Sequence, residues 1–192
     1  MRSSASELAG AVKLVVAGSP GAGKTSLIRS VSDIDPVRTE EKVSLPPHDG
    51  PSSGSETTTV ALDYGRLQLN TDLLLAVFGL PGAARFRFLW EDLARGAVGA
   101  AVLACPAALA DAAPAVSFLE ERGLPFVVVV NDDGHELPAA DTVRGDLALD
   151  AGVPVVLGDV RRPPVGFAVV RDVVRTALRR HSQAPALAGG GR

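Results

Sequence analysis

An α/β fold with a mostly parallel sheet of six strands is what this sequence predicts, and three observations predict it. Short apolar runs rich in Val, Leu and Ala alternate with segments of helical periodicity along the chain. Hydrophobic residues make up 46% of the 192 residues while aromatics make up only 4%, the composition of a sheet buried on both faces by aliphatic side chains. A glycine-rich stretch, Gly18–Lys24, lies between the first apolar run and the first helical segment, where a strand-to-helix turn belongs.

The strands follow in order. Val12–Ala17, Leu73–Phe78, Val98–Ala104, Phe126–Val130 and Val153–Leu157 are each bounded by Gly, Pro or Asn. Leu67 and Leu69 alternate with Arg66, Gln68 and Asn70, as in an edge strand antiparallel to its neighbour. Helices are expected over Gly23–Ser32, through Phe86, Leu89, Trp90 and Leu93, over Ala112–Arg122 with Pro114 in its first turn, over Ala139–Leu149 and over Val165–His181. One domain, 12–181, accounts for the length, with 1–11 as an N-terminal extension and 182–192 as a disordered tail. Residues 35–56 hold four prolines and two glycines, and are expected to be a long mobile loop.

Several function classes are disfavoured at once. A net charge of −3 offers no basic surface for nucleic acid. One cysteine forms no internal disulfide, no apolar run is long enough to span a membrane, and the polar start lacks a signal-peptide core. A cytoplasmic protein is expected. The three histidines have no metal-ligand spacing, and Cys105, at the end of an apolar strand, reads as a small core residue.

The chemistry sits in Gly18-Ser19-Pro20-Gly21-Ala22-Gly23-Lys24-Thr25, which fits G-x-x-x-x-G-K-[ST] without exception. The glycines let successive N–H groups turn inward onto phosphate oxygens, and the helix from Ser26 aims the positive end of its dipole at the same anion. Lys24 would span the β- and γ-phosphates, and Thr25 would give its hydroxyl to Mg²⁺. A P-loop alone does not separate GTPases, ATPases and small-molecule kinases. Thr57-Thr58-Thr59, after the long loop and before a strand, fits a switch in which Thr59 closes on Mg²⁺ and the γ-phosphate, although threonine also simply favours strand starts. Gly82, in Gly79-Leu80-Pro81-Gly82-Ala83, stands where Ras-like proteins have the glycine that meets the γ-phosphate. Asn131 ends the fifth strand, the place of a base-reading asparagine.

On these motifs the chain resembles the MglA-like small GTPases of the Ras-like P-loop fold, most closely the actinobacterial conservon (CvnD) type. The stretches Ser32–Glu41, Thr57–Gly65, Gly96–Ala100 and Phe118–Phe126 carry the resemblance along with the P-loop. It implies GTP and GDP as ligands, a Mg²⁺ switch, weak GTP hydrolysis, and work beside a roadblock-type regulatory protein and a membrane sensor kinase. Asn131, Asp133 and Asp159 would then hold the base. The departures matter as much. Ala83 replaces the glutamine that orients the attacking water, so hydrolysis should be very slow. Gly79 replaces the usual Mg²⁺-linked aspartate, and Asn131-Asp132-Asp133 is one residue shorter than Asn-x-x-Asp. A pseudo-GTPase scaffold is the main alternative, and a P-loop kinase the lesser one.

Overall fold

The computed structural model describes residues 10–44 and 57–183, with the side chains of 38, 40–44, 57–59 and 183 left out. Seven strands form one sheet: β1 (Gly10–Gly18), β2 (Val37–Ser44), β3 (Thr57–Gln68), β4 (Leu73–Gly79), β5 (Ala97–Ala104), β6 (Phe126–Asn131) and β7 (Val155–Gly158). Their order across the sheet is β2-β3-β4-β1-β5-β6-β7. The pairs β4–β1, β1–β5, β5–β6 and β6–β7 are parallel, whereas β2–β3 and β3–β4 are antiparallel. The α/β class with helices on both faces is therefore the one expected.

The strand count is corrected from six to seven, and the strand carrying Leu67 is not an edge. The extra strand is β2, whose residues were expected in a loop. Val37 pairs with Tyr64 and Ser44 with Thr57, so the outer backbone groups of β3 are satisfied by the chain immediately before it. Of the expected 35–56 loop, 45–56 lie outside the described residues, as do the extension up to residue 9 and the tail from 184.

Alternation along β1 sorts the core into two layers. Leu14 and Val16 pack with Leu27, Ile28 and Val31 of α1 (Lys24–Val31) and with Val169, Val170 and Val173 of α5 (Pro163–Gln183). Val15 and Ala17 face the other way, onto Trp90 of α2 (Trp90–Ala94), Val116 and Leu119 of α3 (Ala113–Glu121), and Val143 of α4 (Ala140–Asp146). The helix expected near Phe86 begins as a 3-10 turn, Ala84–Leu89, before α2. Its tighter winding buries Phe86 while leaving Phe88 40% exposed. The helix α5 runs on to Gln183, past the expected end of the domain.

Candidate functional site

The carboxyl ends of the parallel strands converge on the loop between β1 and α1, where ligands of open α/β sheets bind. Gly18, Gly21 and Gly23 take φ of 140°, 81° and 103°, the left-handed side that L side chains rarely adopt. Space is equally restrictive at two of them. A Cβ on Gly18 would strike the Leu103 carbonyl, and one on Gly23 would come within 2.6 Å of Asn131 Nδ2. The helix α1 opens at Lys24, directly after Gly23. Lys24 folds back over the loop, donating to the carbonyls of Gly18 at 2.9 Å and Ser19 at 2.7 Å. Burial lowers the Lys24 pKa, and the carboxylate of Asp63 partly opposes this. A half-buried ammonium held by carbonyl oxygens over inward-turned glycines is a cradle that an anion fits.

Beside it, the Thr25 hydroxyl donates to Asp63 Oδ2. Asp63 lies on β3, and its Cβ is 3.4 Å from where a Cβ on Gly79 of β4 would be. The carboxylate absent from position 79 of β4 has a counterpart on the neighbouring strand β3. One hydroxyl and one carboxylate at the phosphate cradle are hard oxygen donors of the kind Mg²⁺ takes when phosphates and waters complete its shell. Among the described residues no group of three or more His, Cys, Asp or Glu could hold a metal by itself.

Across the cradle, Leu80 N–H donates to the Val16 carbonyl at 2.8 Å, which leads the chain after β4 back over the P-loop. A Cβ on Gly82 would lie 2.7 Å from Lys24 Nζ and 2.8 Å from both the Gly18 carbonyl and Pro20 N. Only glycine permits this approach. Trp90, buried in the second layer, fixes the segment by donating from Nε1 to the Pro81 carbonyl at 2.9 Å.

At the far end, Asn131 joins two loops. Its Nδ2 donates to the Ala22 carbonyl at 3.3 Å, and its Oδ1 accepts the Val160 N–H at 3.2 Å. Asp132 N–H donates to the Gly158 carbonyl at 3.1 Å. Asp159 is engaged by the Arg161 side chain at 2.7 Å and its backbone N–H at 2.9 Å, and these bonds lower the Asp159 pKa. Asp133 is bonded to Cys105 and His135.

The model of a family described as "Conserved hypothetical ATP binding protein" matches residues 51–143, a little under half of the chain, beginning after the P-loop. No curated protein matches. With the P-loop, the sheet order and this match together, the broad class is clear. This is a P-loop nucleotide-binding domain.

Within the domain, the structure brings Gly18–Ser26, Lys24, Thr25 and Gly82 into one cradle and puts Asn131 at its border with the loop that carries Asp159 and Val160. Thr59 is placed by its backbone alone, paired with Lys42, and its side chain lies outside the described residues. Cys105 is corrected from a core residue. It lies one position beyond β5, half-buried, where the sheet ends and a polar partner is in reach. The sequence reading missed Asp63. The signal for it was available: the acidic residue absent from the end of β4 has a counterpart in Thr57–Gly65, one strand earlier.

Among the described residues no helix is long and apolar enough to cross a membrane.

Proposed function

We propose that this domain is a small GTP-binding switch protein of the MglA-like kind, with GTP·Mg²⁺ and GDP as its alternating ligands and very slow hydrolysis. The observation that carries the reading is the bond from Thr25 to Asp63. It joins the phosphate loop to β3, the strand that starts at the threonine cluster and pairs with β2 along its outer edge. Whatever ion or phosphate competes for these two groups acts on the β2–β3 hairpin, and a differential contact of that kind is what a switch requires. In this reading Lys24 and the P-loop amides bind phosphate, Thr25, Thr59 and Asp63 address Mg²⁺, Gly82 meets the γ-phosphate, and Asn131 with Asp133 and Asp159 borders the base.

Guanine is favoured over adenine by the asparagine and carboxylate at positions 131 and 133, although the matching family is described by ATP. Direct titration with GTP, GDP and ATP, with and without Mg²⁺, tests this. Mg²⁺-dependent GTP binding is expected, and ATP binding tighter than GTP would transfer the domain to the ATP class.

The scaffold alternative has its own observation. Lys24 is already satisfied by Gly18 and Ser19, Gly82 packs on the same loop, and Ala83 has no group to orient water. No binding of any nucleotide would favour it. Either way, the partner-facing surface is taken to be 57–64 with Arg85–Trp90, where Phe88 is exposed, and the partner to be a roadblock-type dimer near a membrane sensor kinase. Loss of affinity for such a dimer in Phe88→Ala is the expected result.

A further inference from the structure

At the proposed base end, two side chains that nucleotide binding as described above does not use, Cys105 and His135, both bond Asp133. Cys105 donates its thiol hydrogen to Asp133 Oδ2 at 3.2 Å. His135 Nδ1 lies 2.8 Å from Asp133 Oδ1, and the backbone N–H of His135 reaches the same oxygen at 3.3 Å. These contacts, the His135 side chain first and the Cys105 thiol next, hold the Asp133 carboxyl down at about 2. Asp133 is therefore ionised and can only accept, so Nδ1 is the protonated ring nitrogen facing it.

An ionised carboxylate has about four acceptor positions, two on each oxygen. On Asp133, Oδ1 has both filled by His135, and Oδ2 has one filled by Cys105. One position is left. Reading guanine with a single carboxylate needs two, for N1–H and for the 2-amino group. Hypoxanthine offers N1–H without the amino group. Adenine presents a bare N1 lone pair, which a carboxylate repels. The neighbouring carboxylates are engaged within their own turns, Asp159 by both Arg161 bonds on Oδ1 and Asp132 by the Gly134 N–H at 3.1 Å.

We infer that Cys105 and His135 clamp Asp133 as a single-acceptor reader, so that the domain selects the N1–H of 6-oxopurine nucleotides and is blind to the 2-amino group. The inference rests on the proposed assignment of the base to the Asn131–Asp133 end. Cys105 and His135 act through Asp133 and are positioning residues. The short Asn131-Asp132-Asp133 spacing gives the clamp its purpose, because a carboxylate displaced by one residue needs other contacts to direct it.

The test is competition of GDP, IDP and ADP against a fluorescent GDP analogue on the full chain. In the wild type GDP and IDP should bind within about threefold of each other, and ADP at least about tenfold more weakly, because the Asp133 carboxylate meets an N1–H in the first two and a repelling lone pair in the third. His135→Ala and Cys105→Ala each free an acceptor, and should open a preference for GDP over IDP toward about tenfold while leaving ADP where it was. Cys105→Ser keeps a donor and should behave as wild type. A wild type that already prefers GDP over IDP by about tenfold, with ADP weaker, overturns the clamp and leaves the GTP reading standing. Equal binding of all three, unchanged in Asp133→Ala, overturns the base assignment and the clamp with it. The wild-type comparison decides between these outcomes even if a variant fails to fold.

Discussion

The phosphate-loop cradle is built mainly from backbone: three left-handed glycines, a helix that opens beside them, and one lysine laid over the loop. The end proposed for the base is built from side chains that several loops bring together, Asn131, Asp133, Cys105, His135, Asp159 and Arg161. Backbone geometry is fixed by local sequence and is costly to alter. Contacts between exposed side chains are weaker individually and can be retuned one residue at a time. The difference teaches where to look for changed specificity in a P-loop domain: the phosphate loop here keeps its full pattern, while Asn131-Asp132-Asp133 departs from Asn-x-x-Asp and Asp133 has Cys105 and His135 as partners.

The largest effect should come from the phosphate end and fall on every nucleotide alike. Lys24→Ala should weaken GTP, GDP and ATP by about 100-fold or more, since a charge-assisted contact to phosphate is removed from a half-buried site. Isothermal titration reads this, and a loss confined to one base would break the division between the two ends. Asn131→Ala probes the border between them. Its two bonds lie partly buried, so their loss should cost roughly 1–2 kcal/mol of stability in denaturant unfolding. It should also weaken inorganic triphosphate, because Ala22 belongs to the P-loop; binding of triphosphate at wild-type strength would make the asparagine a base contact only.

Asp63→Asn should weaken Mg²⁺ linkage by about tenfold, as loss of a supporting carboxylate commonly does, while leaving Mg²⁺-free GDP binding nearly unchanged. Magnesium titrations at fixed GDP distinguish the two, and an unchanged Mg²⁺ response would make the carboxylate a partner of Thr25 alone.

A smaller effect concerns protons. Burial lowers the Lys24 pKa in the free domain, and a bound phosphate would raise it again. Between the lowered value and the ordinary 10.5, the free domain has partly lost this proton, so nucleotide binding should take one up and weaken as pH rises through that window. Calorimetry in buffers of different ionisation enthalpy measures the uptake, and Lys24→Ala should abolish it. Arg161→Ala should have the smallest effect of all, because Arg161 is exposed at 67% of its side chain. A shift in melting temperature with nucleotide identity, and none without nucleotide, is the expected signature.

Legibility in the sequence followed the same division. The P-loop is eight consecutive residues whose meaning is local, and the parallel strands declare themselves as aliphatic runs between breakers. The strand β2 was hidden because Arg38-Thr39-Glu40-Glu41-Lys42 is charged and lies beside a proline-rich stretch, and it becomes a strand only by pairing with β3. Asp63 was hidden because its partner Thr25 is 38 residues away, and Cys105 because Asp133 is 28 residues away. Neither separation leaves a periodic trace. Trp90 was legible as core from helical spacing alone, and Phe88 as its exposed neighbour.

Having the carboxylate beside Thr25 on β3, rather than at position 79 of β4, also constrains how such a protein can change. Gly79 is buried, with Ile28 Cδ1 3.3 Å and Asp63 Cβ 3.4 Å from the place a side chain there would begin. An aspartate at 79 would need the volume that Asp63 and Ile28 now fill, and would set two carboxylates against each other in a half-buried space. Gly79→Asp alone should therefore be worse than either arrangement, and Asp63→Ala should relieve it. The two arrangements are separated by a valley that single substitutions cross only with loss, so a lineage that has taken one will tend to keep it.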